Sequence, residues 1–259
     1  MGMLMVILTV KMKKVNNMHW LEEIVLYRFA NRSNVFLVET IDPKRLDQLI
    51  KFITNQGLAK KRNGRVFDYD RFYAYNIQER TYIDLKTLST PVDINPSMPP
   101  STVIGKTIRE KATIFVIYWV ALQHHANALL DSIISWSHDK SVYLPKSERK
   151  KPLMYPKLAS TVIIMTHSLT LFPENIRRMC AEIEVPISTP KERRKILETV
   201  SKAWSRFKRV EEPKVTEDIV SATSGLNLYE VETAGLESLQ KYGEFRIETF
   251  RDFKIKLLE

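Results

Sequence analysis

Short β-branched apolar runs alternate along the chain with longer stretches in which apolar residues recur at helical spacing. Val35–Glu39 (VFLVE), Ile114–Val120 (IFVIYWV) and Thr161–Met165 (TVIIM) are nearly continuous in apolar residues. A half-exposed strand would alternate, so these runs read as strands buried on both faces. Ile183-Glu184-Val185 reads as another short strand, and Val66–Tyr75 and Thr81–Leu85 suit further ones. Lys44–Asn55 carries Leu46, Leu49, Ile50 and Ile53 on one stripe, as a helix packed on a core does. Trp20–Phe29 reads as a short amphipathic helix and Glu248–Glu259 as a final one. Strands alternating with helices predict an α/β fold with a parallel sheet covered on both faces. Its core strands are expected at Val35–Glu39, Thr113–Tyr118, Thr161–Met165 and Ile183–Val185, with Val116 and Ile163 buried.

Local signals fix several helix ends. Thr189 as N-cap, Pro190 at the first helical position and Glu192 three residues past the cap form a capping box. Asp42-Pro43 has the same form, so the Asp42 carboxylate is expected to cap the helix that follows. Further helices are expected near Thr216 and around a turn at Gly225. Ser89–Pro100 holds four prolines and reads as loop. A short helix capped by Ser101 then carries Gly105-Lys106-Thr107 inside it or at its end. Met3–Val10 is apolar but too short to cross a bilayer. Its charges follow the apolar run, the reverse of a signal peptide, so it reads as a strand added to a sheet edge. The expectation is a cytoplasmic protein with no membrane partner.

Composition narrows the chemistry. At 259 residues the chain can hold one ordinary domain and a small one. Cys180 stands alone, which excludes an internal disulfide and a cysteine-rich zinc site, and it reads as a core or interface thiol. His124 and His125 are adjacent and are expected to point to different faces, a poor metal pair; no metal site is expected. The formal net charge of +10 favours polyanionic partners. Lys60, Lys61, Arg62 and Arg65 lie in a basic turn beside Phe67, Tyr69, Phe72, Tyr73 and Tyr75, and Arg149, Lys150 and Lys151 in a second basic loop. These residues could meet phosphates and stack bases, but sheet aromatics under a solvated hairpin tip, and a solvated surface loop, are the preferred reading. A basic face on the C-terminal helices, Lys191, Arg193, Arg194, Lys195, Lys202, Arg206, Lys208 and Arg209, is read at least in part as solvated. The sequence holds no helix-turn-helix, zinc-finger or RNA-recognition signature, so nucleic-acid binding would be non-specific and phosphate-driven.

The order of elements from Ala159 onward resembles the second half of an AAA+ ATPase domain. In that family a core strand ends in a polar sensor 1 residue, a segment with arginine-finger residues follows, and a strand of I-E-V-P type leads to a helical lid. Here Thr166 or Ser168 takes the sensor 1 place, Arg177 or Arg178 the finger place and Ile183–Pro186 the final strand. Ile219–Ala234 (IVSATSGLNLYEVETA) is similar to the family's lid helices, joined at a Gly-Leu turn. The "V-E-T", "T-I-F-V-I", "T-V-I-I" and "I-E-V-P" strands resemble in particular the degenerate N-terminal AAA domain of certain two-domain archaeal, cyanobacterial and chloroplast ATPases. The resemblance spans roughly residues 30 to 259. It implies a parallel-sheet P-loop NTPase-like (AAA+) α/β core over residues 1–187, with an extension over 1–30, and a helical lid over 188–259.

The chain departs from active members of that family at the positions that hold Mg²⁺-ATP. A P-loop follows the first core strand with glycines whose amides cradle phosphate and a lysine that reaches it. Here Thr40-Ile41-Asp42-Pro43 stands instead. The Walker B strand should end in acids that position Mg²⁺, yet Tyr118 and Trp119 occupy that neighbourhood. No sensor 2 arginine is evident after Gly225. The expectation is therefore a non-catalytic assembly or regulatory subunit with no cofactor, in a homo-oligomer or beside other AAA+ subunits. Two alternatives stand beside it. One is a divergent ATPase holding ATP and Mg²⁺ at Gly105, Lys106 and Thr107, where Pro100–Thr107 (PSTVIGKT) matches a P-loop except for its first glycine. The other is non-specific nucleic-acid binding on an AAA+ scaffold.

Overall fold

The computed structural model describes residues 20–29, 33–55, 69–138 and 160–258. They form two compact units, one ending at Val185 and one comprising Pro186–Glu259 together with Asp42–Arg45.

The first unit is built on a six-stranded sheet. Its strands are β1 (Val35–Glu39), β2 (Arg71–Asn76), β3 (Thr81–Asp84), β4 (Thr113–Val120), β5 (Thr161–Thr166) and β6 (Ala181–Glu184). Their order across the sheet is β3-β2-β4-β5-β1-β6, and only β3 runs antiparallel to its neighbour. The helices are α1 (Trp20–Phe29), α2 (Pro43–Thr54), α3 (Pro100–Glu110), α4 (Gln123–Asn127), α5 (Leu130–His138) and α6 (Glu174–Arg177), with a 3-10 turn at Leu169–Leu171.

Two apolar layers explain why β1, β4 and β5 lack alternation. Leu37, Ile117 and Ile164 face one core with Ile104, Ile108, Ile133 and Trp136. Phe36, Val38, Val116 and Ile163 face the other with Trp20, Ile24, Leu49 and Ile53. Every strand residue must therefore be apolar to be buried; Val116 and Ile163 are fully buried, as expected. The helices divide accordingly. From β2 onward each parallel crossover steps toward β6, and helices α3, α5 and α6 contribute to the first layer. The connection from β1 to β2 steps the other way, and its helix α2 packs on the second layer. Right-handed crossovers require that reversal of face.

The strand positions read from sequence shift in detail. β6 begins two residues earlier than Ile183 and omits Val185, because its register on β1 pairs Phe36 with Ala181 and Glu39 with Glu184. β4 runs on to Val120 through an irregularity between Ile117 and Val120, where Trp119 takes a left-handed φ of 64°. The α3 start is also corrected: Pro99 is its N-cap, and no side chain, Ser101 included, makes the capping bond. Pro100 forces the preceding residue into an extended conformation, which places the helix boundary before Ser101. Met3–Val10 lies outside the described residues.

In the second unit α7 (Pro190–Lys208), α8 (Glu217–Ala222), α9 (Leu228–Tyr242) and α10 (Ile247–Lys256) surround Leu197, Val200, Val231, Leu239 and Phe250. The Thr189–Glu192 capping box is formed, Thr216 caps α8, and Gly225 turns the chain at φ 85°. The last helix begins at Ile247 and ends at Lys256, short of Glu259. Arg193 does not solvate the outside of α7. It is buried, with Nε donating to Thr223 Oγ1 (3.1 Å) and a terminal nitrogen to the Ser188 carbonyl (2.5 Å). Asp42 accepts hydrogen bonds from Lys44 N–H at 3.0 Å and, at the α9 start, from Leu228 N–H at 2.9 Å and Tyr229 N–H at 3.3 Å. One carboxylate thus caps two helices. Arg45, also buried, pairs with Glu192 at 2.5 Å and donates to the Pro186 carbonyl at 3.0 Å.

Candidate functional site: the strand-end crevice

In an open parallel sheet, ligands bind beyond the carboxyl ends of neighbouring strands whose connections depart to opposite faces. Here those strands are β1 and β5. The residues at that end are Glu39 and Thr40 after β1, Thr166, His167 and Ser168 after β5, and Trp119 and Val120 at the end of β4.

The backbone amides at this end already have acceptors. Thr40 N–H donates to the Thr166 carbonyl (2.9 Å) and His167 N–H to the Val120 carbonyl (3.1 Å). Ser168 N–H lies 3.4 Å from Thr166 Oγ1, and Thr170 N–H donates to Ser168 Oγ at 3.2 Å. Leu169 N–H donates to Glu39 Oε1 at 3.1 Å. A phosphate cradle needs amides that converge on open space and a positive field. At this end the named amides are engaged and the Glu39 carboxylate adds negative charge beside them, the opposite of that arrangement. Aromatic rings close its β4 side, with Trp119 edge-on to His167 at 5.7 Å between centroids.

The sensor 1 candidates are both placed here, and both hydroxyls have internal partners. Thr166 is fully buried, its Oγ1 2.9 Å from the Val120 carbonyl and 3.0 Å from that of Ser168. Ser168 caps the 3-10 turn and pairs with Thr170 Oγ1 at 2.8 Å. The finger candidates sit at the end of α6, and each has a glutamate partner from its own chain. Arg177 holds Glu182 with two bonds of 3.0 and 2.8 Å, and the hydrogen bond to Glu182 pushes its pKa further up. Arg178 pairs with Glu174 and remains largely exposed.

Gly105, Lys106 and Thr107 are not brought to this crevice. They lie within α3, where Thr107 Oγ1 donates to the Val103 carbonyl at 2.8 Å and is buried. Amides inside a helix are bonded along the helix axis, so the triplet cannot form the nest that an ATPase reading requires of it. Lys106 is exposed and lies 4.0 Å from Glu110. Lys60, Lys61, Arg62, Arg65, Arg149, Lys150 and Lys151 lie outside the described residues. The described aromatics beside the first basic turn, Tyr69, Phe72, Tyr73 and Tyr75, are buried in the two core layers.

No group of three or more His, Cys, Asp or Glu side chains able to hold a metal occurs among the described residues. His124 and His125, expected to diverge, have ring centroids 4.1 Å apart in the five-residue helix α4, with His124 exposed and His125 half-buried. Burial pushes the Cys180 thiol up to about 12, as for an inert core thiol. No helix among the described residues is long and apolar enough to cross a membrane. The role of Glu39 as acceptor for the Leu169 amide escapes sequence reading. Glu39 looks like the polar end of an apolar strand, and its partner Leu169 lies far along the chain.

The architecture is an α/β unit with a mostly parallel six-stranded sheet, followed by a helical C-terminal unit. No protein-family model and no curated protein matches the sequence. Among solved structures, the chain is similar to the AAA domain of FIGL-1 in complex with ADP, at 11% identity, covering 85% of this chain and 70% of that one with a TM-score of 0.49. It is similar to domain III of the Thermotoga maritima replication initiation protein DnaA, at 15% identity, covering 90% and 87% with a TM-score of 0.45. It is also similar to C. elegans PCH-2, at 10% identity, where it covers 86% of this chain but only 60% of that one, with a TM-score of 0.48.

Proposed function

We propose that this chain is a non-catalytic AAA+-like module that works by assembly in the cytoplasm, in a homo-oligomer or beside AAA+ subunits that bind nucleotide themselves. The observation that carries this reading is the β1–β5 strand end, where the amides named above are engaged and one of them, Leu169 N–H, is held by the Glu39 carboxylate. Binding a triphosphate there would break those bonds and set phosphate against a carboxylate. A module of this kind contributes surface and charge to its neighbours. Arg178, exposed at the end of α6, is the better placed of the two arginines to reach a neighbour's phosphate, and Arg177 would first have to leave Glu182.

Thermal unfolding with and without Mg²⁺-ATP tests the reading. A ligand at a hundredfold excess over its dissociation constant stabilises a folded protein by about 2.7 kcal/mol. The expected result is an unchanged melting temperature at millimolar Mg²⁺-ATP. A clear rise would mean that the crevice opens for nucleotide, and the non-catalytic reading would fall.

A further inference from the structure

The largest chemical mismatch in the first unit lies away from the β1–β5 crevice, in a cavity of about 730 Å³ that shares none of the crevice residues named above. That volume lies in the range of small-molecule sites. Three segments enclose it: the hairpin joining β2 and β3, the proline-rich run into α3 from Pro96 to Ser101, and the first turns after β4 from His124 to Leu129.

Its walls are mostly apolar, with the paired rings of Tyr75 and Tyr82 (centroids 4.6 Å apart) facing prolines and Met98. Arg80 is its full cation, Gln78, Ser97 and Ser101 are uncharged, and burial lowers the His125 pKa toward the neutral imidazole. The lining includes Arg80, His124 and His125 and, among the described residues, no Asp or Glu. Arg80 makes no ion pair among the described residues. The α3 N-terminus, positive through the helix dipole, opens there without a side-chain cap, and Ser101 supplies its first amide because Pro99 and Pro100 have none. The decisive observation is independent of that charge. The hydroxyl of Tyr82, a residue only 4% exposed, is buried with no hydrogen-bond partner, and so is His125 Nδ1. Each buried orphan of this kind carries an uncompensated desolvation penalty, and both belong to residues that line this one cavity. Arg80 adds a strained backbone, with φ 55° at the hairpin corner. Native structures concentrate unpaired groups and strain where a ligand later satisfies them.

We propose that this cavity binds a small organic anion, a carboxylate or phosphate monoester carried on a flat apolar body. The anionic group meets Arg80, the Tyr82 hydroxyl and an imidazole N–H of His125. The flat body lies against the tyrosine rings and the proline wall.

Phenyl phosphate and benzoate, with benzyl alcohol as the uncharged control, are titrated into the full chain by calorimetry. Tyr82→Phe removes a buried hydroxyl that has no protein partner, so the variant keeps or raises its melting temperature. Arg80→Gly removes the cation at a backbone position that glycine adopts without strain. Saturable binding of at least one anion, tighter than the alcohol and weakened about tenfold or more by each variant, is the expected result. Absence of saturable binding by both anions at millimolar concentration overturns the proposal. So does binding that survives Arg80→Gly unchanged, since the anion would then sit elsewhere. If Tyr82→Phe lowers the melting temperature, the hydroxyl has a structural partner, and the assignment of that group to the ligand fails.

Discussion

At Asp42 a single carboxylate accepts three amide N–H groups, from Lys44, Leu228 and Tyr229. An ordinary N-cap contributes about 0.5–2 kcal/mol. Asp42→Ala leaves the amides of two helix starts without their acceptor, so it should cost more than a single cap in urea unfolding, whereas Asp42→Asn keeps one acceptor oxygen and should recover part of the loss. The first capping bond was legible in the Asp-Pro pair. The other two were not, because they come from residues far along the chain whose approach only the fold dictates. Glu192 teaches the same lesson. Its role in the capping box was evident from the Thr-Pro-x-Glu spacing, but its pairing with buried Arg45 was not. Burial alone would raise the Glu192 pKa, yet the hydrogen bonds from Arg45 and Thr189 together outweigh it and bring it down to about 2. A carboxyl depressed in the folded state stabilises that state above its unfolded pKa, and the contribution disappears as pH falls through the folded value. Stability should therefore decline from about pH 4.5 toward pH 2, and Glu192→Gln should flatten that part of the profile while lowering stability at neutral pH.

Elements were legible wherever the two sides of a segment had to match different surroundings. β1, β4 and β5 carry apolar side chains on both faces through their central residues because two layers claim them, and that pattern survives in the bare sequence. The limits of β6 were less legible, since Ala181 and Glu182 join the sheet through pairing with β1, which depends on backbone register and leaves no mark on side-chain type. The Tyr75 and Tyr82 rings announced strands, but the unpaired Tyr82 hydroxyl is a property of packing that no local pattern encodes. Between α7 and α9 the contact is set by Gly235. A β-carbon there would lie 3.1 Å from Leu197 Cδ2 and 3.5 Å from Phe245 Cε1. Gly235→Val forces a branched side chain into this seam and should destabilise the chain by about 1–3 kcal/mol in chemical denaturation, the usual cost of overpacking.

For the whole molecule, sequence order and spatial order disagree in one place that matters. β1 pairs only with β5 and β6, so the first strand of the sheet to be written becomes an interior strand. That arrangement has a consequence for biosynthesis. A ribosome that has just delivered VFLV must add roughly 120 more residues before the first partner strand exists. At about 5–20 residues per second, the strand waits roughly 6–24 s with both edges unpaired and with the face that α3 and α5 later cover still open. During that interval it is a short, uncharged, β-branched segment of the type that holdase chaperones and aggregates both capture. The step that closes the sheet is thus a race between translation and capture, set by the strand order alone.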